Sequence, residues 1–421
     1  MATGFTFTVK RYLARLWPSR EASTQAEGPL TLSLSPGGEG TKTSPRVLPS
    51  SLSPWGEGGE GVFRADLLRV ARWMRANLFS TWGNSLLTLL ALWLAYELAA
   101  SVLDWGLARA VFRGDDGGAC SREGAGACWP FITHKLGLFL YGRYPLAERW
   151  RVDLTYLFAL AGLAPLMIPR VPGKLWLSVY MLALFPVVAF VLLLGGIPGL
   201  ARVPTELWGG LLVTLVVASV GIAASFPLGI LLALGRRSML PAIRWASIGY
   251  IEFVRGVPLI TMLFMASVML PLFLPGDVTV DKLLRALIGV ALFSAAYLAE
   301  VIRAGLQAIP RGQYEAADAL GLSYAQKTGL VILPQALRLV IPGIVNSMIS
   351  LFKDTSLVLV IGLFDLLGIV EQSVQADAKW FSPGTAATGY AFAGAVFWLF
   401  CFSMSRYSAF LERHLGAGEK R

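Results

Sequence analysis

The sequence predicts an all-α polytopic membrane protein with about eight transmembrane helices. Of its 421 residues, 55% are hydrophobic and only 15% are charged, and the mean hydropathy is +0.62. A soluble domain carries roughly 25% charged residues, so this chain lacks the polar surface that would cover a water-soluble body. Apolar runs of about 20 residues, the length that crosses a bilayer as a helix, recur along it. These runs must be helices because backbone polar groups find no other partners in hydrocarbon.

The same composition excludes several classes of protein, namely cytosolic enzymes, secreted disulfide scaffolds and disordered chains. The net charge of +10 indicates basic cytoplasmic loops rather than nucleic-acid binding, because the basic residues lie beside apolar runs. The chain has two histidines, His134 and His414, far apart in sequence. Histidine-based catalysis and a multi-histidine metal centre are therefore not expected, and no metal site is predicted.

The N-terminal region differs from the rest of the chain. Residues 1–62 are rich in Ser, Pro, Gly and Glu and predict a low-complexity, disordered cytoplasmic tail. Residues 63–80 alternate arginines such as Arg69 and Arg72 with apolar side chains. This pattern predicts an amphipathic helix on the inner membrane surface; the alternative is a solvated helix that leads into the first span.

The predicted spans fall into two groups, extra helices within 81–204 and a larger group within 205–415. In order, the predicted spans are 82–103, 154–168, 175–194, 207–234, 248–274, 283–302, about 336–363 and 389–408. An even number of spans puts both termini on one side, and the basic short loops put that side in the cytoplasm. The loop of about 104–153 then lies outside, and residues 416–421 form a basic cytoplasmic tail.

The three cysteines point to different roles. Cys120 and Cys128 flank a short Gly/Ala-rich loop and are candidates for a disulfide if that loop faces an oxidising compartment. With His134 nearby a metal site is conceivable, but the spacing matches no standard zinc site. Cys401 lies within an apolar run and is expected to pack in the core.

The segment 305–335, between two predicted spans, has helix start and stop signals. Pro310 suits the start of a helix and Gly321 the left-handed position after its end. Ser323 and Gln326 form a capping box for a second short helix, which Pro334 is expected to end. The first helix has a small, apolar face, expected to insert into a groove of a partner or, alternatively, to pack on its own bundle. That face consists of Ala316, Ala317, Ala319 and Leu320.

Ionisable residues inside the predicted spans are candidates for function because they are costly in lipid. Glu252 and Arg255, like Glu300 and Arg303, are three residues apart and are expected to form ion pairs that shape a gate. Glu97 stands alone in the first span and is expected to face the bundle as a packing group.

A row of four polar residues interrupts the seventh span: Lys353, Asp354, Thr355 and Ser356. A zwitterionic amino acid needs one cationic and one anionic partner, and this row contains both. The row, with Arg255 and Glu300, is the candidate substrate path. The alternative is a packed network that kinks the helix.

The residues Glu315-Ala316-Ala317, Gly321 and Val331 to Pro334 resemble the EAA motif of permease subunits of ATP-binding cassette (ABC) importers. The family usually has Ile where Val331 stands. Segments around Arg255, Glu300 and Asp354 resemble the polar amino-acid branch, over about 205–415. Residues 127–131 and 141–153 resemble the M-type permease of general L-amino-acid importers.

The resemblance implies a fold and a mechanism. Residues 205–415 would be the five-helix core of a type I importer permease, with Glu315, Ala316, Ala317, Gly321, Leu333 and Pro334 in the coupling loop that docks on the ATPase. A periplasmic binding protein would deliver an L-amino acid of polar or broad range. Two ATPase subunits carrying ATP and Mg, and a second, similar permease, would complete an alternating-access heterodimer in a bacterial inner membrane.

The sequence also bears on catalysis. No nucleotide-binding P-loop is present, because the stretch around Lys42 lacks the required Gly-Lys-Ser/Thr. The chain is therefore expected to be a non-catalytic subunit without a cofactor of its own. Two alternatives from other classes are an ion-coupled secondary transporter of small polar solutes and a membrane-embedded enzyme.

Overall fold

The computed structural model describes residues 58–168, 171–273, 275 and 280–416, and these are predominantly helical. Within these ranges the only β-type pairings are isolated bridges. The expected tail up to residue 57 and residues 417–421 lie outside the described residues. The chain forms two compact units, Met1–Ser85 and Leu86–Arg421.

Sixteen α-helical segments are described, several of them joined by π or 3-10 turns. They are α1 Gly58–Asn77, α2 Trp82–Leu103, α3 Trp129–Tyr141, α4 Arg149–Met167, α5 Lys174–Val179, α6 Phe185–Leu194, α7 Gly210–Arg236, α8 Pro241–Gly256, α9 Leu259–Phe264, α10 Lys282–Ala308, α11 Arg311–Ala319, α12 Tyr324–Gln326, α13 Leu333–Leu339, α14 Ile341–Asp354, α15 Leu366–Ala376 and α16 Pro383–Gly416.

Six helices of the described chain are long and apolar enough to cross a membrane, or seven if one bent pair counts as a single span. They are Trp82–Ala108, Lys174–Leu194, Gly210–Arg236, Lys282–Ala308, Ile341–Ile361 and Pro383–His414. This confirms an all-α polytopic membrane protein. The number differs from the eight expected for two reasons. Helix α4 is not apolar enough along its length to count as a span, and the predicted span 248–274 is broken.

The break in the span 248–274 lies between α8 and α9. The two helical pieces Pro241–Gly256 and Leu259–Phe273 are bent by 106°. Val257 has extended backbone angles (φ −108°, ψ 135°) because the ring of Pro258 disfavours a helical conformation at the preceding residue. The predicted continuous span is therefore two helices at a sharp angle.

Helix α4 is not apolar enough to count as a span by itself, but it lies antiparallel to the span Lys174–Leu194. Near the start of α4, Tyr144 donates a hydrogen bond to the carbonyl of Leu193 at 2.9 Å. Towards the other end, the Tyr180 hydroxyl donates to the carbonyl of Phe158 at 3.3 Å. Helix α4 therefore packs antiparallel against this span.

The centre of the larger unit is the pair α7 and α10, which approach closely through glycine. A Cβ atom at Gly229 would lie 3.1 Å from the Leu298 Cβ, and one at Gly221 would lie 3.1 Å from the Val290 Cγ1. Small residues at such contacts let two helix backbones pack against each other without a hydrophobic driving force. Gly221 and Gly229 of α7 therefore serve helix packing.

Residues 104–153 form a packed substructure rather than a simple loop. A disulfide joins Cys120 to Cys128, and helix α3 follows it directly. The backbone N–H of Cys128 donates to the Thr388 Oγ1 at 2.7 Å, and Lys135 forms an ion pair with Asp377. This substructure is thus attached to the start of the last helix.

Helix α2 differs from the other long helices. No side chain of Trp82–Leu103 is buried, and Glu97 is exposed. The expectation that Glu97 faces the bundle is therefore wrong, because the bundle does not cover this helix.

Asp365 is a buried carboxylate that begins α15. It is fully buried, and its Oδ1 accepts a hydrogen bond from the Gly368 N–H at 2.9 Å, as a helix N-cap does. Its Oδ2 has no hydrogen-bond partner. Burial raises the pKa of this carboxyl to about 6, although backbone N–H groups oppose the shift.

Replacing Asp365 with Asn is expected to favour the folded state increasingly as the pH rises. The carboxyl pKa is higher in the folded chain, about 6, than the ordinary value of 3.8. The stability that the protonated acid contributes is complete below the ordinary value and is lost as the pH rises through the folded value.

Thermal unfolding in detergent, compared between wild type and Asp365→Asn from about pH 5 to about pH 7.5, measures this effect. The difference in unfolding free energy should shift towards the variant with rising pH, by about 1–2 kcal/mol over this range. A difference that is independent of pH would contradict the assignment.

Candidate functional site

Three helix ends meet at the carboxylate of Glu300 in α10. Arg236, the last residue of α7, donates to its Oε1 at 2.7 Å, and Arg303 donates to its Oε2 at 2.9 Å. Arg255 of α8 lies 3.8 Å from the same Oε2. Arg236 also pairs with Glu252 of α8 at 2.9 Å. Glu300 is largely shielded from water, whereas its partners are partly exposed. These ion pairs together hold α7, α8 and α10 in contact.

The structure confirms one of the two expected ion pairs and changes the other. Glu300 and Arg303 pair on α10, but Glu252 pairs with Arg236 and not with Arg255. Sequence reasoning missed Arg236 as a member of this network. The signal available was its position at the end of an apolar run, where a long side chain reaches neighbouring helix ends.

The next residue, Arg237, connects the end of α7 to helix α11. Its Nη1 donates to the Tyr314 hydroxyl at 3.1 Å and to the carbonyl of Leu306 at 3.0 Å. The Tyr314 hydroxyl donates to the same carbonyl at 3.0 Å, and the guanidinium lies 5.6 Å from the centre of the Tyr314 ring. We name these three residues, Arg237, Leu306 and Tyr314, the α11 anchor.

A cleft of about 380 Å³ lies beside the α11 anchor. Besides the anchor residues it is lined by Gln307, Ile309, Arg311 and Glu315. Its lining therefore includes the end of α10 and the first half of α11, so the anchored helix has free space along one side.

The turn after α11 is built as the sequence predicts. Gly321 has a positive φ of 70°, which a residue with a side chain adopts only with strain. Ser323 and Gln326 form the expected capping box. Lys327 pairs with Asp318 across the turn, and Gln335 donates to the Gln313 side chain at 3.2 Å. These contacts hold α11 against the helix that follows it.

The side chains of α11 divide into two faces. Ala317 is only 2% exposed and packs on its own bundle, whereas Glu315, Ala316 and Gly321 are exposed. Leu320 is 78% exposed. Of the four residues expected on one apolar face, Ala317 packs on the chain's own bundle. Ala316, Ala319 and Leu320 are exposed and remain free for a partner.

Pro334 does not end the second helix, contrary to expectation. The backbone is helical from Tyr324 to Leu339, with a π-helical segment at Lys327–Ile332 immediately before Pro334. Proline cannot donate to the carbonyl four residues earlier, and a wider π turn accommodates that missing bond within a continuous helix. Pro334 is exposed and Leu333 half-buried.

The polar row in the seventh predicted span lies where its helix tightens. Helix α14 ends at Asp354, and Thr355–Ile361 is a 3-10 helix. The hydroxyls of Thr355 and Ser356 donate to backbone carbonyls of their own helix, whereas Lys353 is exposed and Asp354 half-buried. In the described chain, no hydrogen bond or ion pair connects this row to Arg255 or Glu300.

The described residues contain no group of three His, Cys, Asp or Glu side chains that could hold a metal ion. The chemical resources of the site are therefore the ion network, the α11 anchor and the polar row. The ion network and the α11 anchor hold the ends of α7, α8 and α10 and the helix α11 in place.

A family model described as "Binding-protein-dependent transport system inner membrane component" matches residues 225–416. An Escherichia coli (strain K12) inner membrane amino-acid ABC transporter permease protein, YhdY, is 52% identical over 350 residues, covering 83% of this chain and 94% of that protein. The matched regions include α11 and the residues of the ion network.

One further protein and one solved structure are similar to this chain. The glutamate/glutamine/aspartate/asparagine transport system permease protein BztC of Rhodobacter capsulatus is 40% identical over 410 residues, covering 82% of this chain and 93% of that protein. A crystal structure of an amino acid ABC transporter with histidines is 30% identical, with a TM-score of 0.42, covering 49% of this chain and 92% of that chain.

Replacing Arg237 with Ala is expected to loosen α11, because it removes two hydrogen bonds and the ring contact of the α11 anchor. Hydrogen–deuterium exchange should show faster exchange of residues 311–320 by several-fold, with exchange in α15 unchanged. Arg244→Ala is the matched control, because Arg244 is an exposed arginine on α8. Equal exchange of residues 311–320 in the wild type and both variants would rule out the anchor.

Proposed function

The chain belongs to the family of binding-protein-dependent ABC transporter permeases and is a permease of an amino-acid importer, and on this basis we propose that α11 is the helix through which a separate ATPase drives it. The observation that carries the proposal is the construction of α11. Its outer face is exposed and apolar, and its inner face is fixed to the ends of α7 and α10. A helix built in this way can receive a partner and pass on its movement.

The route of that movement follows from two neighbouring residues. Arg237 contacts α11, and the adjacent Arg236 pairs with Glu300 and Glu252. The end of α7 therefore takes part both in the α11 anchor and in the ion network. When the ATPase subunits close on ATP, a displacement of α11 pulls on α7 and thus on the ion network. A change in that network alters how α7, α8 and α10 meet, which gives alternating access to the path between them.

The polar row Lys353 to Ser356 is the part of the path that we assign to the substrate. Its cation and its carboxyl match the two charges of an amino acid, and the change from α14 to a 3-10 helix interrupts the apolar face at this point. Arg255 and Glu300 are then gate residues at the ends of the helices rather than ligands of the amino acid. The name of BztC gives glutamate, glutamine, aspartate and asparagine as the amino acids of its transport system, which supports polar L-amino acids here.

Partners follow from the same mechanism. We propose two ATPase subunits that bind ATP, a periplasmic binding protein that delivers the amino acid, and a second permease of similar fold that completes a heterodimer. This chain then hydrolyses no ATP and carries no cofactor. The relatives give no support to the alternative of an ion-coupled secondary transporter.

We also propose that both termini are cytoplasmic. If α4 crosses the membrane beside its neighbour, the spans number eight, and an even number places both termini on one side. The disulfide Cys120–Cys128 then faces the periplasm, the oxidising side. The arginines at the end of α7 lie on the cytoplasmic side, in agreement with the positive-inside rule.

Replacing the exposed Ala316 with Trp is expected to block docking without disturbing the fold of this chain, since its side chain points away from the bundle. Recovery of the ATPase subunit with the tagged permease should fall at least tenfold, and amino-acid uptake should fall with it. Ala242→Trp, at an exposed position on α8, is the control and should leave both unchanged. Full recovery and full uptake with Ala316→Trp would overturn the proposed docking helix.

Replacing Asp354 with Ala is expected to lower uptake while the complex still assembles, because the anionic partner of the substrate is lost. Uptake kinetics of the purified complex in proteoliposomes, with binding protein and ATP, should show at least a fivefold lower rate. Glu412→Gln, near the end of α16, is the control. Unchanged uptake kinetics for Asp354→Ala would remove the polar row from the substrate path.

The proposal as a whole is tested by purifying the chain from native membranes and identifying the associated proteins by mass spectrometry. An ATPase subunit, a binding protein and a second permease are expected. ATP hydrolysis by the complex should rise when amino acid and binding protein are added. Transport by the isolated chain under an ion gradient, without an ATPase, would contradict the proposal.

A further inference from the structure

Helix α2 has an unusual environment within the larger unit. Its side chains are apolar on every side, and none of Trp82–Leu103 is buried. Leu90, Leu92 and Leu94 are 47%, 58% and 53% exposed. Lipid covers apolar side chains well, so exposure of leucine alone does not identify a partner.

The C-terminal end of α2 is nevertheless firmly held. The carbonyl of Trp105 accepts a hydrogen bond from the Ala127 N–H at 2.8 Å, and the carbonyl of Gly106 accepts one from the Trp129 Nε1 at 3.0 Å. Both donors lie beside Cys128, which is in the disulfide. The helix is thus fixed at one end, and its remaining length presents a surface.

Glu97 is the feature that lipid cannot satisfy. It is the sixteenth residue of the 27-residue span Trp82–Ala108, close to the middle. With a rise of about 1.5 Å per residue, water at either end of the span is too far away for its side chain. An ionisable group at this depth is costly unless another group compensates it.

No compensating group is found among the described residues of this chain. The described residues include no hydrogen bond or ion pair to the Glu97 side chain, and residues 82–108 contain no Lys, Arg or His. A second copy of α2 would therefore bring only another carboxylate to the same depth. Charge complementarity requires a different helix that carries a basic side chain.

We propose that the Glu97 face of α2 is the binding surface for a transmembrane helix of another chain, which presents a Lys or Arg side chain at mid-membrane depth. Leu90 and Leu94 lie seven and three residues before Glu97 and share its face, whereas Leu92 lies five residues before it on the opposite face. The leucines supply packing, and the carboxylate supplies the specific interaction.

Photo-crosslinking in native membranes tests this surface. The probe p-benzoylphenylalanine is placed at Leu90, on the Glu97 face, and at Leu92 as the matched control on the opposite face. Crosslinked chains are identified by peptide mass spectrometry. The probe at Leu90 should link to a membrane-spanning segment that carries Lys or Arg within about two helical turns of the link, since Leu90 lies about two turns from Glu97. The probe at Leu92 should give at most a tenth of that yield.

Variants of Glu97 test the role of charge. Glu97→Gln and Glu97→Leu should each lower the yield at Leu90 at least fivefold, whereas Glu97→Asp should stay within twofold of wild type. An exchange of Glu97→Lys with the partner's basic residue changed to Glu should restore the link. Elution profiles of the purified variants show whether the chain itself is intact.

Several results would overturn the proposal: links from Leu90 only to lipid, links to a second copy of this chain, equal yields from Leu90 and Leu92, or a yield that Glu97→Leu does not change. A linked segment without a basic residue would also overturn it. None of these results depends on uptake or on the ATPase, so failure here leaves the proposed function as it stands.

Discussion

The carboxylate of Glu300 is the constraint on which the junction of α7, α8 and α10 depends. Three arginines from three helices converge on one side chain that is largely shielded from water. Loss of the carboxylate would leave the three arginines without their shared partner in a poorly hydrated site. The arrangement is therefore stable in one geometry and sensitive to small displacements. Since Arg236 adjoins Arg237, the sensitive network and the anchored helix α11 share one short stretch of backbone.

Much of this architecture could be predicted from sequence. Apolar runs identified most of the long helices, because hydrocarbon allows no backbone geometry other than one that satisfies its own hydrogen bonds. Local chemistry located the turn after α11 equally well: a glycine with positive φ at 321 and the Ser323–Gln326 capping box depend only on neighbouring residues. The resemblance carried by Glu315 and Gly321 agrees with the family that the comparisons identify.

Other features depend on contacts between distant residues and could not be predicted. Which acid Arg236 pairs with, and that Ala317 rather than Ala316 is buried, are set by how α7, α10 and α11 pack, which the local pattern does not contain. The bend at Val257 and Pro258 could have been anticipated from the restriction that proline imposes on its predecessor. Pro334 shows the limit of that rule, since a π-helical turn before it keeps the helix continuous. The exposure of Glu97 was likewise missed, because a single carboxyl does not reveal which helix face it occupies.

The attachment of residues 104–153 to the start of α16 has a consequence for biogenesis. The backbone N–H of Cys128 donates a hydrogen bond to Thr388, 260 positions later in the chain, and Lys135 forms an ion pair with Asp377. The contact order of this region is high, so it completes its fold only after nearly the whole polypeptide has left the ribosome. Until then the apolar side chains of α3 lack the residues of α15 and α16 that they pack against in the folded protein. Insertion of the last helix thus acts as the closing step of assembly, and a chain truncated before it would be a natural target for quality-control proteases.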